Sequence, residues 1–142
     1  MAYPKRPKEI FEILEEFSKE TTKAGRIGVL HKFESTLAFT DLLRGTFDDT
    51  LVFRLPVGKP PYTANNEESY PSSLLKKHKD FHMFVTGGNL TQIRAENAFI
   101  AMLEAIHPTD AEVVLSMIAK TSPAPYLTKK LVQEAFPHLI TK

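Results

Sequence analysis

Apolar residues recur every three or four positions along almost the whole chain, and a single run, "LVFRLP" at 51–56, alternates as a strand would. That asymmetry restricts the fold more than any other feature. A lone strand closed by proline has no partner to complete its ladder, so extended chain is the expected state of 51–55. Everything else must bury its stripe as helix on helix.

The helical stretches follow from their stripes and stops. Pro7 opens a first helix with Ile10, Ile13, Leu14 and Phe17 on one face, and Gly25 and Gly28 interrupt it. A short second stretch carries Ile27, Leu30 and Phe33. A third, from near Ser35, sets Phe39, Leu42, Leu43 and Phe47 on one side and ends around 45–48. After the irregular "VGKPPYTANNEESYP", a stripe of Leu74, His78, Phe81 and Val85 runs to a stop at Gly87-Gly88. Thr91 then starts a helix with Ile93, Phe99, Ile100, Leu103 and Ile106 inward and small Ala98, Ala101 and Ala105 opposite. Thr109, with Glu112 three residues on, forms a capping box for a helix carrying Val113, Val114, Met117 and Ile118. Thr128 caps a last helix with Leu131, Val132, Ala135 and Phe136, stopped by Pro137. The expected fold is all-α: a compact bundle of about six short helices in one domain, 1–142, with one extended segment and one long Pro-rich loop.

A chain of 142 residues is long enough to bury a core without disulfides or metal. It has no cysteine, which removes disulfides, thiolate metal sites and cysteine nucleophiles. Eighteen basic residues against 17 acidic ones leave a net charge of +1, so bulk polycation binding to nucleic acid is excluded. No stretch approaches the ~18 apolar residues of a membrane span, and "MAYPKRPKEIFEIL" lacks a signal-peptide pattern. A soluble, intracellular protein is expected.

The residues that resemble a site cluster between 54 and 90, and most fail on chemistry. Gly58-Lys59 has Phe53 where a phosphate loop needs glycine, and Pro60 where it needs a hydroxyl. Pro60-Pro61-Tyr62 reads as a rigid turn with the tyrosine packed back on the body. His78 and His82 have helical metal-pair spacing. On an α-helical wheel, however, both lie beside the core stripe, with no third ligand; His107 would be the first to test. Lys76 and Lys79 fall opposite that stripe and, with Asp80 partly cancelling their charge, read first as a solvated helix face; Met83 exposed between them is what suits that face to a partner. The helix–"HPTD"–helix arrangement permits a helix-turn-helix, but Asp110 and Glu112 at the leading end would repel phosphates. Glu96 lies within an apolar arc one turn from a helix start; a general base is the functional reading there, and satisfying free amides or pairing with a basic side chain is the expected role. The doublets Asp48-Asp49 and Glu67-Glu68 sit in turns without metal or acid–base spacing.

Three segments, "LPVGKPPY" followed by "FHMFVTGGNL", "LEAIHPTDAEVVL" and "LTKKLVQEAFPHLI", resemble a family of small proteins encoded by large contractile-tailed bacteriophages and their marine relatives. The resemblance spans roughly 47–140 and implies a phage gene product made in the bacterial host cytoplasm. The family has no assigned activity, so no residue role carries over.

The functional expectation is a non-enzymatic accessory protein with no cofactor and no metal. It would bind a host or phage protein through the 56–70 loop, Pro60, Pro61 and Tyr62 above all, and through the Lys76/Lys79/Met83 face. The alternatives are a nucleic-acid-associated factor using those lysines with Lys129 and Lys130, or a minor virion component. An unrecognised enzyme ranks last.

Overall fold

A computed structural model describes residues 8–66, 70–86 and 90–140. Pro7, the Glu67-Glu68 doublet and the Gly87-Gly88 stop lie outside the described residues. Among those described, the fold is all-α: α1 (Ile10–Ser18), α2 (Lys23–Lys32), α3 (Leu37–Phe47), α4 (Leu74–Lys77), a 3-10 segment (His78–Phe84), α5 (Gln92–Ala105), α6 (Pro108–Ile118) and α7 (Lys129–Ala135). α3 packs on α6 and α4, α6 on α5 and α1, and α2 bridges α1 and α7. The core is one apolar cluster running from Ile10 to Ile140.

Local chemistry sets most boundaries where expected. Ile10, Ile13, Leu14 and Phe17 are buried on α1, and Phe39, Leu42, Leu43 and Phe47 on α3. The hydroxyls of Thr91 and Thr128 cap α5 and α7, accepting from the amides of Arg94 (3.3 Å) and Leu131 (3.2 Å). Three expectations change. α2 runs straight through Gly25 and Gly28, started by Thr22, which accepts from the Gly25 amide at 3.0 Å. Packing on α1 and α7 offsets the roughly 1 kcal/mol that each glycine costs a helix. Thr109 is not the cap of α6: His107 is, its Nδ1 accepting from the Thr109 amide at 3.0 Å, because Pro108 with its fixed φ takes the first helical position. The extended 51–55 segment does find a partner. Phe53 bridges antiparallel to Val85, with the Arg54 amide donating to Phe84 O and the Thr86 amide to Val52 O, each at 2.8 Å.

The largest departure lies at 74–85. The α-helix stops at Lys77 and the chain continues as 3-10 helix. At three residues per turn, side chains three apart eclipse. His78, Phe81 and Phe84 therefore line the buried edge, while His82 turns out to solvent and Val85 moves to the bridge. The inward placement of both histidines holds for His78 alone. Met83, expected to be exposed, is half-buried and packs on the core. Ile93 is 71 % exposed, because the buried face of α5 runs Ala95, Phe99, Met102 and Leu103 and leaves position 93 on the far side.

Where α3 crosses α6 the backbones come close. A Cβ on Gly45 would stand 2.5 Å from Met117 Sδ and 3.2 Å from the Phe53 ring, so the fully buried Met117 would have to shift within the core. Lys120, in the left-handed region at φ 58°, returns over the same helix end. Its ammonium donates to the carbonyls of Gly45 (2.7 Å) and Asp48 (2.8 Å), closing off α3, and burial lowers its pKa. Gly45→Ala is expected to lower unfolding free energy by about 1–2 kcal/mol in urea titration, overpacking outweighing the gain in helix propensity. A gain in stability would mean that the two helices do not meet there.

Candidate functional site: a cleft between the Pro-rich loop and α5

The loop after Leu55 is clasped to α5 at both ends. At the start, Arg54 Nε donates to Gln92 Oε1 (3.2 Å) and Gln92 Nε2 donates back to Arg54 O (2.9 Å). At the far end, the Thr63 amide donates to Glu104 Oε2 (2.8 Å), and Asn65 Nδ2 donates to the carbonyls of Glu104 (2.6 Å) and Ile106 (2.9 Å). Those carbonyls belong to the end of α5, whose last turn has no N–H donors of its own to satisfy them. Between the clasps, residues 55–61 stand off the helix and leave a cleft of about 420 Å³.

Its floor is Phe99 and Ile100, its outer wall Leu55, Val57 and the prolines, and its polar groups are Glu96, Asn97 and Lys59. Val57 is 73 % exposed at the mouth, and Ile93 lies one helical turn before Asn97 on the same face of α5. Lys59 spans to Glu112 on α6 at 3.2 Å, which raises its pKa, and its ammonium lies 5.5 Å from the Tyr62 ring centroid. Glu96 is half-buried in the cleft wall, and the Arg94 amide at the start of α5 is met by Thr91.

The expected partner-binding residues divide. Pro60 and Pro61 line the cleft. Tyr62 packs against the core, its hydroxyl buried without a partner, and burial raises its pKa. Lys76 and Lys79 are exposed on α4 and the 3-10 segment, and Met83 is drawn back between them. Lys129 is bonded to Asp49 at 2.8 Å. The histidine pair does not converge: His78 Nδ1 meets Asp41 Oδ2 at 2.5 Å, whereas exposed His82 Nδ1 meets Lys79 O at 2.6 Å. Among the described residues no group of three or more His, Asp or Glu side chains could hold a metal ion.

A second polar assembly lies where α1 and α6 begin. Asp110 is wholly buried; its Oδ1 accepts from the Phe11 amide at 2.8 Å, capping α1 from another helix. Oδ2 meets no donor and lies within reach of the buried Glu9 carboxyl, which accepts from Ser73 Oγ at 2.8 and 3.0 Å. Burial first, and the neighbouring Glu9 and Glu12 after it, push Asp110 from the ordinary 3.8 up to about 7, against the Phe11 bond that lowers it. Protonated, Asp110 can donate to Glu9. The His107 ring closes the assembly, stacked on Phe11 at 3.9 Å with the edge of Tyr70 at 5.2 Å. The neighbouring cleft between α1 and α6 is lined by Phe11 and Thr109 and not by these acids.

Asp110 therefore cannot repel a phosphate from the start of α6; of the two acids invoked there, only Glu112 reaches the surface. Its burial was legible: the stripe Val113, Val114, Met117 and Ile118 extends back one turn to 110. The cleft had no comparable signal, because only the clasps at 54 and 63–65 lay the loop along α5.

The model for DUF6433, described as a family of unknown function, matches residues 13–122, which takes in most of α1 and all of α2 to α6 and leaves α7 outside. No curated protein matches the chain.

Proposed function

The chain belongs to the DUF6433 family, and from its geometry we propose that it works by contact: a phage-encoded, non-enzymatic accessory protein that holds an extended segment of a host or phage protein in the cleft between 55–61 and α5. The observation that carries this reading is the double clasp, which supports a preformed opening with apolar Val57 exposed at its mouth and Ile93 exposed one turn before Asn97 on α5. A preformed groove spares the ordering cost of binding. Glu96 and Asn97 on one wall suit a segment whose apolar side chains flank a Lys or Arg. The phage origin rests on the three quoted segments. No helix among the described residues is long and apolar enough to cross a membrane, consistent with work in the host cytoplasm or on the virion.

Val57→Asp with Ile93→Asp tests this without disturbing the core, since both side chains are exposed. Proteins from phage-infected host cells retained by the wild type are expected to be lost, about tenfold or more, on the double variant. Leu37→Asp, exposed on α3, should retain them. Equal retention by the cleft variant would overturn the reading.

A further inference from the structure

Apart from the cleft, one surface combines charge, an aromatic platform and backbone strain. A pocket of about 270 Å³ lies between α2, α7 and the turn before α7. Three cations line it, Lys23 and Arg26 from α2 and Lys130 from α7, against one carboxylate, Glu134, which Lys23 holds at 2.7 Å and whose pKa that bond lowers. Tyr126 stands at its edge, 69 % exposed, with the Arg26 guanidinium 4.1 Å from the ring centroid. Its backbone is in the left-handed region, φ 65°, which a bulky residue rarely adopts. Glycine would take that turn without strain; a tyrosine there, held out in solvent by a cation, indicates a use for the ring.

We propose that this pocket binds a nucleotide unit, the base stacking on Tyr126 and the phosphate held by Lys23 and Lys130. Arg26 braces the ring and adds to the positive field. Base stacking on an exposed aromatic in a basic groove is tolerant of sequence and serves a free nucleotide or one residue of a single strand equally. The site is independent of the cleft, and it joins α2, inside the family match, to a segment beyond it.

The test is titration of the intact protein with a fluorescent single-stranded oligodeoxyadenosine, with AMP and with inorganic phosphate, at about 50 mM salt. The oligonucleotide, AMP or both are expected to bind. Which of them binds identifies the source. Tyr126→Gly should weaken that binding about tenfold or more, the range of one base–aromatic stack, while raising or preserving the melting temperature, because it relieves the left-handed strain. Lys130→Ala should reduce the salt slope by about one. Three results overturn the proposal: no binding at low salt, binding unaltered by Tyr126→Gly, or phosphate alone binding as well as AMP.

Discussion

Asp110→Asn is expected to stabilise this protein at pH 8 by on the order of 3 kcal/mol and to change it little near pH 4. The sign follows from the two states. In the unfolded chain Asp110 ionises at its ordinary 3.8; in the folded protein it holds its proton to about 7. Its contribution is complete below the unfolded value and is lost as pH rises towards 7, beyond which the loss levels off. Between pH 5 and pH 8 the wild type should thus lose about 2.5 kcal/mol from this one group. Asparagine keeps an oxygen for the Phe11 amide and presents an amide hydrogen to Glu9, so the bonds survive and the titration disappears. Urea melts across that range settle it: a flat profile in the variant and a falling one in the wild type are expected. Parallel profiles would show that Asp110 is ionised in the folded state. Below about pH 5 other carboxylates intervene, because Glu16, bonded to Lys32 and Lys8, and Asp49, bonded to Lys129, have lowered pKa values whose contribution fades as they protonate.

This acid shows how sequence periodicity and buried polarity can disagree. Asp110 stands where the stripe of α6 calls for an apolar side chain, and two helix starts meet there with amides to satisfy. A wheel drawn for α6 alone places the residue inward but cannot show that its acceptor serves α1, 99 residues earlier in the chain. The same limit separates what could be read elsewhere. The stripes of α1, α3 and α7 and the caps at Thr91 and Thr128 are local facts, and they held. The continuity of α2 through its glycines, the bridge from Phe53 to Val85 and the clasped cleft each depend on a distant partner that no local pattern encodes. Pro60 and Pro61 were legible as a rigid turn; that the turn walls a cleft was not.

The segment 74–85 gives the sharpest test of how helical phase was decided. An α-helical phase makes Val85 a core residue and leaves Phe84 at the edge; the 3-10 phase reverses them. In the fold Phe84 is fully buried, its ring edge-on to Phe99 at 5.3 Å and 72°, and it shares a buried row with His78 and Phe81. Val85 is half-buried, and its neighbours' bonds to 52–54 are made by backbone, which alanine keeps. Phe84→Ala is therefore expected to cost about 3–5 kcal/mol, the range for emptying an aromatic site in a tight core. Val85→Ala should cost about 1 kcal/mol or less, and His82→Ala should stay within about 0.5 kcal/mol, as an exposed side chain bonded only to a nearby carbonyl. Guanidinium melts of the three variants give the order directly. If Val85→Ala proves the costlier of the two core substitutions, the segment is α-helical throughout, His82 returns to the core edge beside His78, and the bridge that starts the clasped loop is lost with it.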